Sequence, residues 1–428
     1  MDKNKTKFVA ALTPFILAIL MAVPNIQSAQ TPTHLTIDEV YKLAMTNYPL
    51  VKQMSLTEKS KQYSIENAAK GYLPQFSING QGTYQSEVTS IDIPNIKTPV
   101  LSKDQYRIFG ELYQSFTDAA IIKEQKDVIK NTAETERQKI EVTLYTLKER
   151  INQIYFAILT IDAQIEQTVV LKKDIQSGID RTNAAISNGT ALKRNADNLL
   201  AELLKVDQRT IELKSNRKGY SDMLALFIGK PVNESTRLVS PVIQNVSPVI
   251  NRPEMILFVA QKRQYAIQNR LISARNLPKV GMFFQGGYGR PALNQLSNDF
   301  SAYYIGGLRL NWNFGGLYTA KTDRNLLTIN QQNIDVQKDV FIFNTNLSLL
   351  QLNSEVDKLQ QLINTDNEII RLRDKVKQTA KSQLENGTIT TNDYLSYVNA
   401  EHLARLDLLL HQVHLSLALY NYQTIAGN

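Results

Sequence analysis

The chain is 428 residues long, carries a formal charge of +8 and contains no cysteine. The lack of thiols excludes a disulfide framework, thiolate metal sites and lipidation through an N-terminal cysteine. Basic and acidic residues are interspersed along helical stretches rather than blocked, which argues against a nucleic-acid partner.

Residues 1–29 have the make-up of a secretory signal. Lys3, Lys5 and Lys7 form a basic start, Phe8 to Val23 an apolar run broken by Pro14, and Ser28-Ala29 a small-residue exit before Gln30. Removing that segment takes away three lysines and one aspartate and leaves a charge of +6. No later run is expected to approach the length and apolarity of a membrane helix. Thr36-Ile37-Asp38-Glu39 has capping-box spacing and predicts a helix from Ile37 to Asn47. Pro49 suits the first turn of a second helix running to about Lys70, with Gly71 and Pro74 to end it.

From Gln75 the apolar period changes to two. Phe76, Ile78, Gly80, Gly82 and Tyr84 fall on one face; Gln75, Ser77, Asn79, Gln81, Thr83 and Gln85 fall on the other. A second alternating run places Tyr106, Ile108, Gly110, Leu112 and Phe116 opposite Arg107, Phe109, Glu111 and Tyr113. Two later runs repeat the pattern, with stripes Val280, Met282, Phe284, Gly286, Tyr288 and Tyr304, Gly306, Leu308, Leu310, Trp312, Phe314. Runs of this length with aromatic ends suit tilted strands crossing a bilayer. Four strands are too few to close a barrel and would leave backbone groups unpaired in hydrocarbon. Two, three or four chains would have to share one barrel, of about 8, 12 or 16 strands.

A long helix is predicted from about Asp118 to Ser187. Ile140, Leu144, Leu147, Ile151, Ile154, Ile158, Ile161 and Ile165 form a heptad seam. The seam continues through Thr168, Lys172, Ile175, Ile179, Thr182 and Ile186. Asn188-Gly189-Thr190 supplies a turn, and a returning helix from about Leu192 to Ile228 has its own seam, Ala196 to Phe227 by way of Leu199, Leu203, Arg217 and Tyr220. Asn386-Gly387-Thr388 does the same before a helix of about Asn392–Ile425. The two turns are 198 residues apart, and Asn47-Tyr48-Pro49 precedes Asn251-Arg252-Pro253 by 204. Two structural repeats are therefore expected, residues 30–230 and 231–428, with β-hairpins at about 75–116 and 279–314 and tips at 188–190 and 386–388.

In order and spacing, Leu35-Thr36-Ile37-Asp38-Glu39-Val40 with Asn47-Tyr48-Pro49, Gly71-Tyr72-Leu73-Pro74-Gln75, and the Asn-Gly-Thr turns resemble the TolC-like outer-membrane efflux proteins. The resemblance spans nearly the whole mature chain. It implies a mainly α fold with a small β part: duplicated helical hairpins in a trimeric α-barrel, and a shared twelve-stranded transmembrane barrel. It implies an outer-membrane exit duct of a tripartite efflux or type I secretion system in a Gram-negative bacterium. Partners would be a periplasmic adaptor (membrane fusion) protein, an inner-membrane pump of RND or ABC type, and outer-membrane lipid. No active site and no cofactor are implied.

On that resemblance, Asn188, Gly189, Thr190, Asn386, Gly387 and Thr388 are the adaptor-docking tips. Asp393, Ser396, Asn195, Leu384 and Ile389 are candidates for a constriction near the tip; with at most one carboxylate kept there, a partly apolar pinch is expected. Asp393 could form a ring of carboxylates or complete the capping box begun at Thr390. The expected lipid-facing residues are Phe76, Ile78, Tyr84, Ile108, Leu112, Met282, Phe284, Leu308, Leu310 and Trp312. Gln75, Ser77, Asn79, Gln81, Arg107, Glu111, Arg309, Asn311 and Asn313 are expected to face a water-filled lumen. His402, His411 and His414 are read as helix residues rather than metal ligands, and no catalytic motif is present. The alternative is a soluble periplasmic coiled-coil scaffold or adaptor without a channel.

Overall fold

The computed structural model describes residues 34–90, 94, 101–241 and 249–427. The signal-like segment and most of the loop expected at 87–103 lie outside the described residues. Strand β1 (His34–Leu35) leads into helices α1 (Ile37–Asn47) and α2 (Val51–Ala69), and a short 3-10 turn covers Lys70–Tyr72. Strands β2 (Gln75–Tyr84) and β3 (Asp104–Ser115) precede α3 (Asp118–Ser187) and α4 (Lys193–Ile228). After β4 (Arg237–Leu238), α5 (Pro253–Arg275) leads to β5 (Lys279–Arg290) and β6 (Ser301–Asn311). Helices α6 (Gly315–Glu385) and α7 (Thr391–Ala426) complete the chain.

Local chemistry sets the helix ends. At the start of α1 the Thr36 hydroxyl accepts from Glu39 N–H, and the Glu39 carboxylate accepts from Thr36 N–H at 3.0 Å, a complete capping box. Gly189 and Gly387 take φ of 74° and 67° at the far turns, a region costly for residues with a Cβ. The 70 residues of α3 extend about 105 Å at 1.5 Å each.

Packing follows one sequence around the wall. Near the sheet the order of touching helices is α2, α3, α5, α6, the order β2-β3-β5-β6 of the sheet itself. Toward the turns it becomes α4, α3, α7, α6. The seam expected on α3 is buried from Ile140 to Ile161, and Thr345, Leu349, Val356 and Leu359 are its buried counterparts on α6. Two details differ from a strict heptad. Lys172 is exposed and Leu171 buried, while on α4 Tyr220 is exposed and Ser221 buried. A straight helix does not repeat every seven residues, so a neighbouring residue takes the contact at these two points, while Ile175, Ile179, Thr182 and Leu224 of the expected register stay buried.

Helix α3 also contains an 18-residue window of mean hydropathy 1.3, long and apolar enough to cross a membrane by composition alone. This corrects the expectation that no run outside the first 29 residues approaches that standard. The physical reason is packing from several sides: Ile151, Tyr155, Phe156 and Ile158 are essentially inaccessible in a core shared with α1 and the ends of α4 and α7. Polar groups inside this waist are paired. Asn152, fully buried, donates to Thr424 Oγ1 (3.1 Å) and Asn421 Oδ1 (3.2 Å) and accepts from the Tyr41 hydroxyl. The Tyr155 hydroxyl lies 2.8 and 2.7 Å from the carbonyl oxygens of Leu35 and Val239, which belong to the short β1–β4 pairing and its exit. Burial pushes the Tyr145 hydroxyl up to about 12, so it stays a neutral donor to Thr424 O at 2.8 Å.

The duplicated Asn-x-Pro turns have a mechanical role here. Helix α4 ends at Gly229 (φ 68°), and the Asn47 side chain donates to the orphan carbonyls of Leu226 and Phe227. Helix α7 ends at Gly427 (φ 93°), packed so tightly on the Asn251 and Arg252 backbone that a Cβ would lie 2.3 Å from Asn251 C. Asn251 N–H donates to Ala426 O at 2.7 Å. Each returning helix thus stops on the turn from which α2 or α5 departs, whereas α3 and α6 run through unbroken.

Candidate functional site: the two sheet faces and the helical tips

The four-stranded sheet is wholly antiparallel, and its outer strands β2 and β6 have no neighbour on one side. Register aligns the apolar stripes into rows. Phe76 opposes Leu112, which opposes Phe284; Ile78 opposes Gly110, then Gly286, then Tyr304; Met282 opposes Leu308. Apart from contacts with one another, such as the stacked rings of Phe284 and Tyr304, these side chains are largely open. Ile78 is 69% exposed and Leu308 74%, and Phe76, Tyr84, Ile108, Leu112, Met282, Phe284 and Leu310 are all exposed. A continuous apolar surface of this kind is unusual for a protein in water and marks a membrane or protein interaction site. Trp312 differs from its expected place: β6 ends at Asn311, and the Trp312 indole N–H donates to Asn276 O at 3.2 Å beside Phe314.

The opposite face is polar on β2 but mixed elsewhere. Phe109, Tyr113, Phe283, Tyr303 and Ile305 share it with Arg107, Glu111, Gln285 and Arg309. The aromatic residues have glycine beneath them. A Cβ on Gly281 would meet the Tyr113 ring at 2.6 Å, and one on Gly287 would meet Phe109 Cβ at 2.6 Å. Arg309 donates to both Glu111 oxygens (2.9 and 3.1 Å) and lies over the rings of Phe283 and Tyr113. Asn313, expected among the lumen residues, instead accepts from Gly315 N–H at 2.8 Å and starts α6.

At the far end of the molecule, four helices share one core. Leu171, Ile175 and Ile179 of α3 meet Leu199, Leu203 and Val206 of α4, Ala380 of α6, and Tyr394, Leu395 and Val398 of α7. Leu384 and Ile389, partly buried, pack against that same core, so their apolar surface is engaged within the chain. Arg181 and Glu385 tie α3 to α6 at 2.8 Å. Asp393 and Ser396 are exposed on α7, and Asn195 is half-buried on α4. The Asp393 carboxylate accepts from Thr390 N–H (3.0 Å) and from the Thr390 hydroxyl, while Asp393 N–H donates to that hydroxyl at 3.2 Å. These hydrogen bonds, the hydroxyl's first, hold its carboxyl below the usual range. The helix α4, in contrast, begins at Leu192 with no side-chain cap. Thr390→Ala is expected to cost about 1 kcal/mol locally, read as faster amide exchange in the first turn of α7 with no change in α4.

One feature of the tip region was not read from the sequence. Glu401, 1% exposed, accepts from Lys377 Nζ at 3.0 Å and from Arg405, and Lys377 also reaches Asp174 at 3.2 Å. Burial pushes the Glu401 carboxyl up, but hydrogen bonds from Arg405 and Lys377 and their charges outweigh it, so the group is held below its ordinary value. The only sequence signal was the i,i+4 spacing of Glu401 and Arg405; nothing local announces Lys377 on another helix. Of the three histidines, His411 pairs with Asp366 (Nδ1 to Oδ2, 2.6 Å) across α6 and α7. Among the described residues no three metal-ligating side chains come together.

No protein-family model matches the chain, and no curated protein matches it. Solved structures do. The outer membrane protein VceC from Vibrio cholerae aligns at 14% identity over 91% of this chain and 96% of that one, with a TM-score of 0.63. The CmeC outer membrane channel of Campylobacter jejuni aligns at 12% identity over 91% and 85%, TM-score 0.63. The open state of the MtrE outer membrane channel of Neisseria gonorrhoeae aligns at 12% identity over 92% and 89%, TM-score 0.65. The chain has the outer-membrane channel fold. In that fold the unpartnered sheet, the long helical wall and the two Asn-Gly-Thr turns occupy one end, the middle and the other end of a single wall segment.

Proposed function

We propose that three copies of the chain form an outer-membrane exit duct of a tripartite efflux or type I secretion system. In this reading twelve strands close one barrel in the outer membrane of a Gram-negative bacterium, and the helices line a passage through the periplasm. The turns at Asn188, Gly189, Thr190 and at Asn386, Gly387, Thr388 dock on a periplasmic adaptor. Asp393 and Ser396 border the narrowest part, and an inner-membrane pump of RND or ABC type supplies the energy. The observation that carries the reading is the sheet: edge strands β2 and β6 unpaired on one side, together with one largely exposed and largely apolar face. Backbone groups at an open edge cannot be left unpaired in hydrocarbon, so β6 of one copy pairs with β2 of the next until the ring closes. The helical edges fit the same head-to-tail contact, with Val340, Phe343, Leu347 and Leu350 exposed on α6 and Leu200, Leu204 and Ile211 exposed on α4.

The test is the native mass of detergent-extracted mature protein, after asking whether washed membranes keep it in high salt. A trimer released only by detergent is the expected result. A stable monomer that salt removes would overturn the duct in favour of a soluble periplasmic scaffold.

A further inference from the structure

The mixed face of the sheet carries an uneven set of charges. Its ionisable side chains are Arg107 and Glu111 on β3, Lys279 on β5 and Arg309 on β6; β2 contributes none there. Glu111 is taken up by Arg309. Lys279 has Asp118, at the start of α3, at 3.6 Å. Arg107 forms no ion pair among the described residues. Its stem lies against Gly289, whose missing side chain leaves the space, and its row continues to Gln81 on β2 and to Ser301 on β6 through Gly289. Neutral Ser, Thr, Asn, Gln and Tyr fill the remaining polar positions of this face.

We propose that this face gives the barrel end of the duct a positive inner collar that favours anionic over cationic solutes at that level, with Arg107 as the residue that sets the local preference. The inference rests on the duct reading, which turns the mixed face toward water. Three guanidinium groups then face one another across a lumen walled by protein of low dielectric, where a fixed charge acts further than it does in open water. Arg309 adds little, because its charge is cancelled by a carboxylate held at two hydrogen bonds. The cargo class this suits is small organic or inorganic anions, carboxylates and phosphates among them.

The absence of native cysteine makes the test direct. A single Gln81→Cys, placed opposite Arg107 on the neighbouring strand, is treated in intact outer membranes with small thiol reagents of matched size, one anionic and one cationic. Each rate is divided by that reagent's rate with a free thiol. The anionic reagent is expected to react faster by about fivefold, and adding Arg107→Gln is expected to bring the ratio close to one. A cationic preference, or a ratio unmoved by Arg107→Gln, overturns the collar while leaving the duct intact. If Gln81→Cys is inert to both reagents and Ile78→Cys reacts with both, the faces are reversed and the duct reading itself falls. Trimer mass of each variant, measured alongside, separates these results from failed assembly.

Discussion

Arginine at Ile78 or at Leu308 is expected to abolish membrane assembly, whereas arginine at Asn79 is expected to leave it intact. The two groups of positions are neighbours in the same sheet and differ in the face they present. Ile78 and Leu308 lie on the exposed apolar face. A lipid-facing Arg near the bilayer midplane costs roughly 2–4 kcal/mol, and a trimer repeats that cost in each copy. Against the marginal stability of a folded protein, a total of roughly 6–12 kcal/mol decides the outcome. Asn79 is on the opposite face, where an added guanidinium stays hydrated. The measurement is the fraction of protein in the outer membrane as heat-resistant trimer. Equal loss at all three positions would mean that the sheet is simply intolerant, and loss at Asn79 alone would reverse the faces.

Glu401→Ala is expected to destabilise the helical tip by about 3 kcal/mol or more. Removal of the carboxylate leaves Lys377 with only Asp174 and Arg405 with only Asp374 at 3.6 Å, and a half-broken buried pair costs more than the pair was worth. The network should also appear as a pH dependence. The folded-state value of Glu401 lies below its unfolded one, so its stabilisation is complete above the unfolded carboxylate value and is lost as pH falls through the folded one. His402 is next to it in sequence, half-buried, and burial lowers its value against the opposing pull of Glu401 and Asp174. The unfolded chain therefore binds a proton at His402 first, and stability starts to fall below about pH 6.5. Thermal melts from pH 8 to pH 2 should show both phases, the lower one beginning below the ordinary carboxylate value. Glu401→Gln should remove the lower phase and His402→Gln the upper; melts indifferent to pH would refute the assignment.

Much of the frame was legible before any coordinates. The capping box at Thr36 and the glycines at 189 and 387 delimit helices by local chemistry, so Ile37–Asn47 and Asp118–Ser187 were readable to the residue. Alternation likewise revealed the strands, since a two-residue period survives whatever covers the face. Features that depend on distant partners were not legible. Leu384 and Ile389 were named as candidates for a constriction, but nothing local says that both also pack against a core shared by four helices. The aromatic residues on the mixed sheet face do not follow from the alternation alone, and their explanation is glycine on the adjacent strand. Asn47 and Asn251 were visible as a repeated motif, but their use as stops for helices ending 181 and 175 residues later came only from the fold.

Those stops divide the wall into two kinds of member. Helices α3 and α6 carry load without interruption from sheet to tip, as struts do. Helices α4 and α7 are hinged at their upper ends, where Gly229 and Gly427 take a left-handed bend and a few hydrogen bonds replace a covalent helical path. A torque applied to α7 at its tip is therefore dissipated at Gly427 instead of being passed along a rod into β5. On the duct reading proposed above, the lower half of the wall is then the part free to untwist while the strand register above it stays fixed: a moving aperture on a static frame.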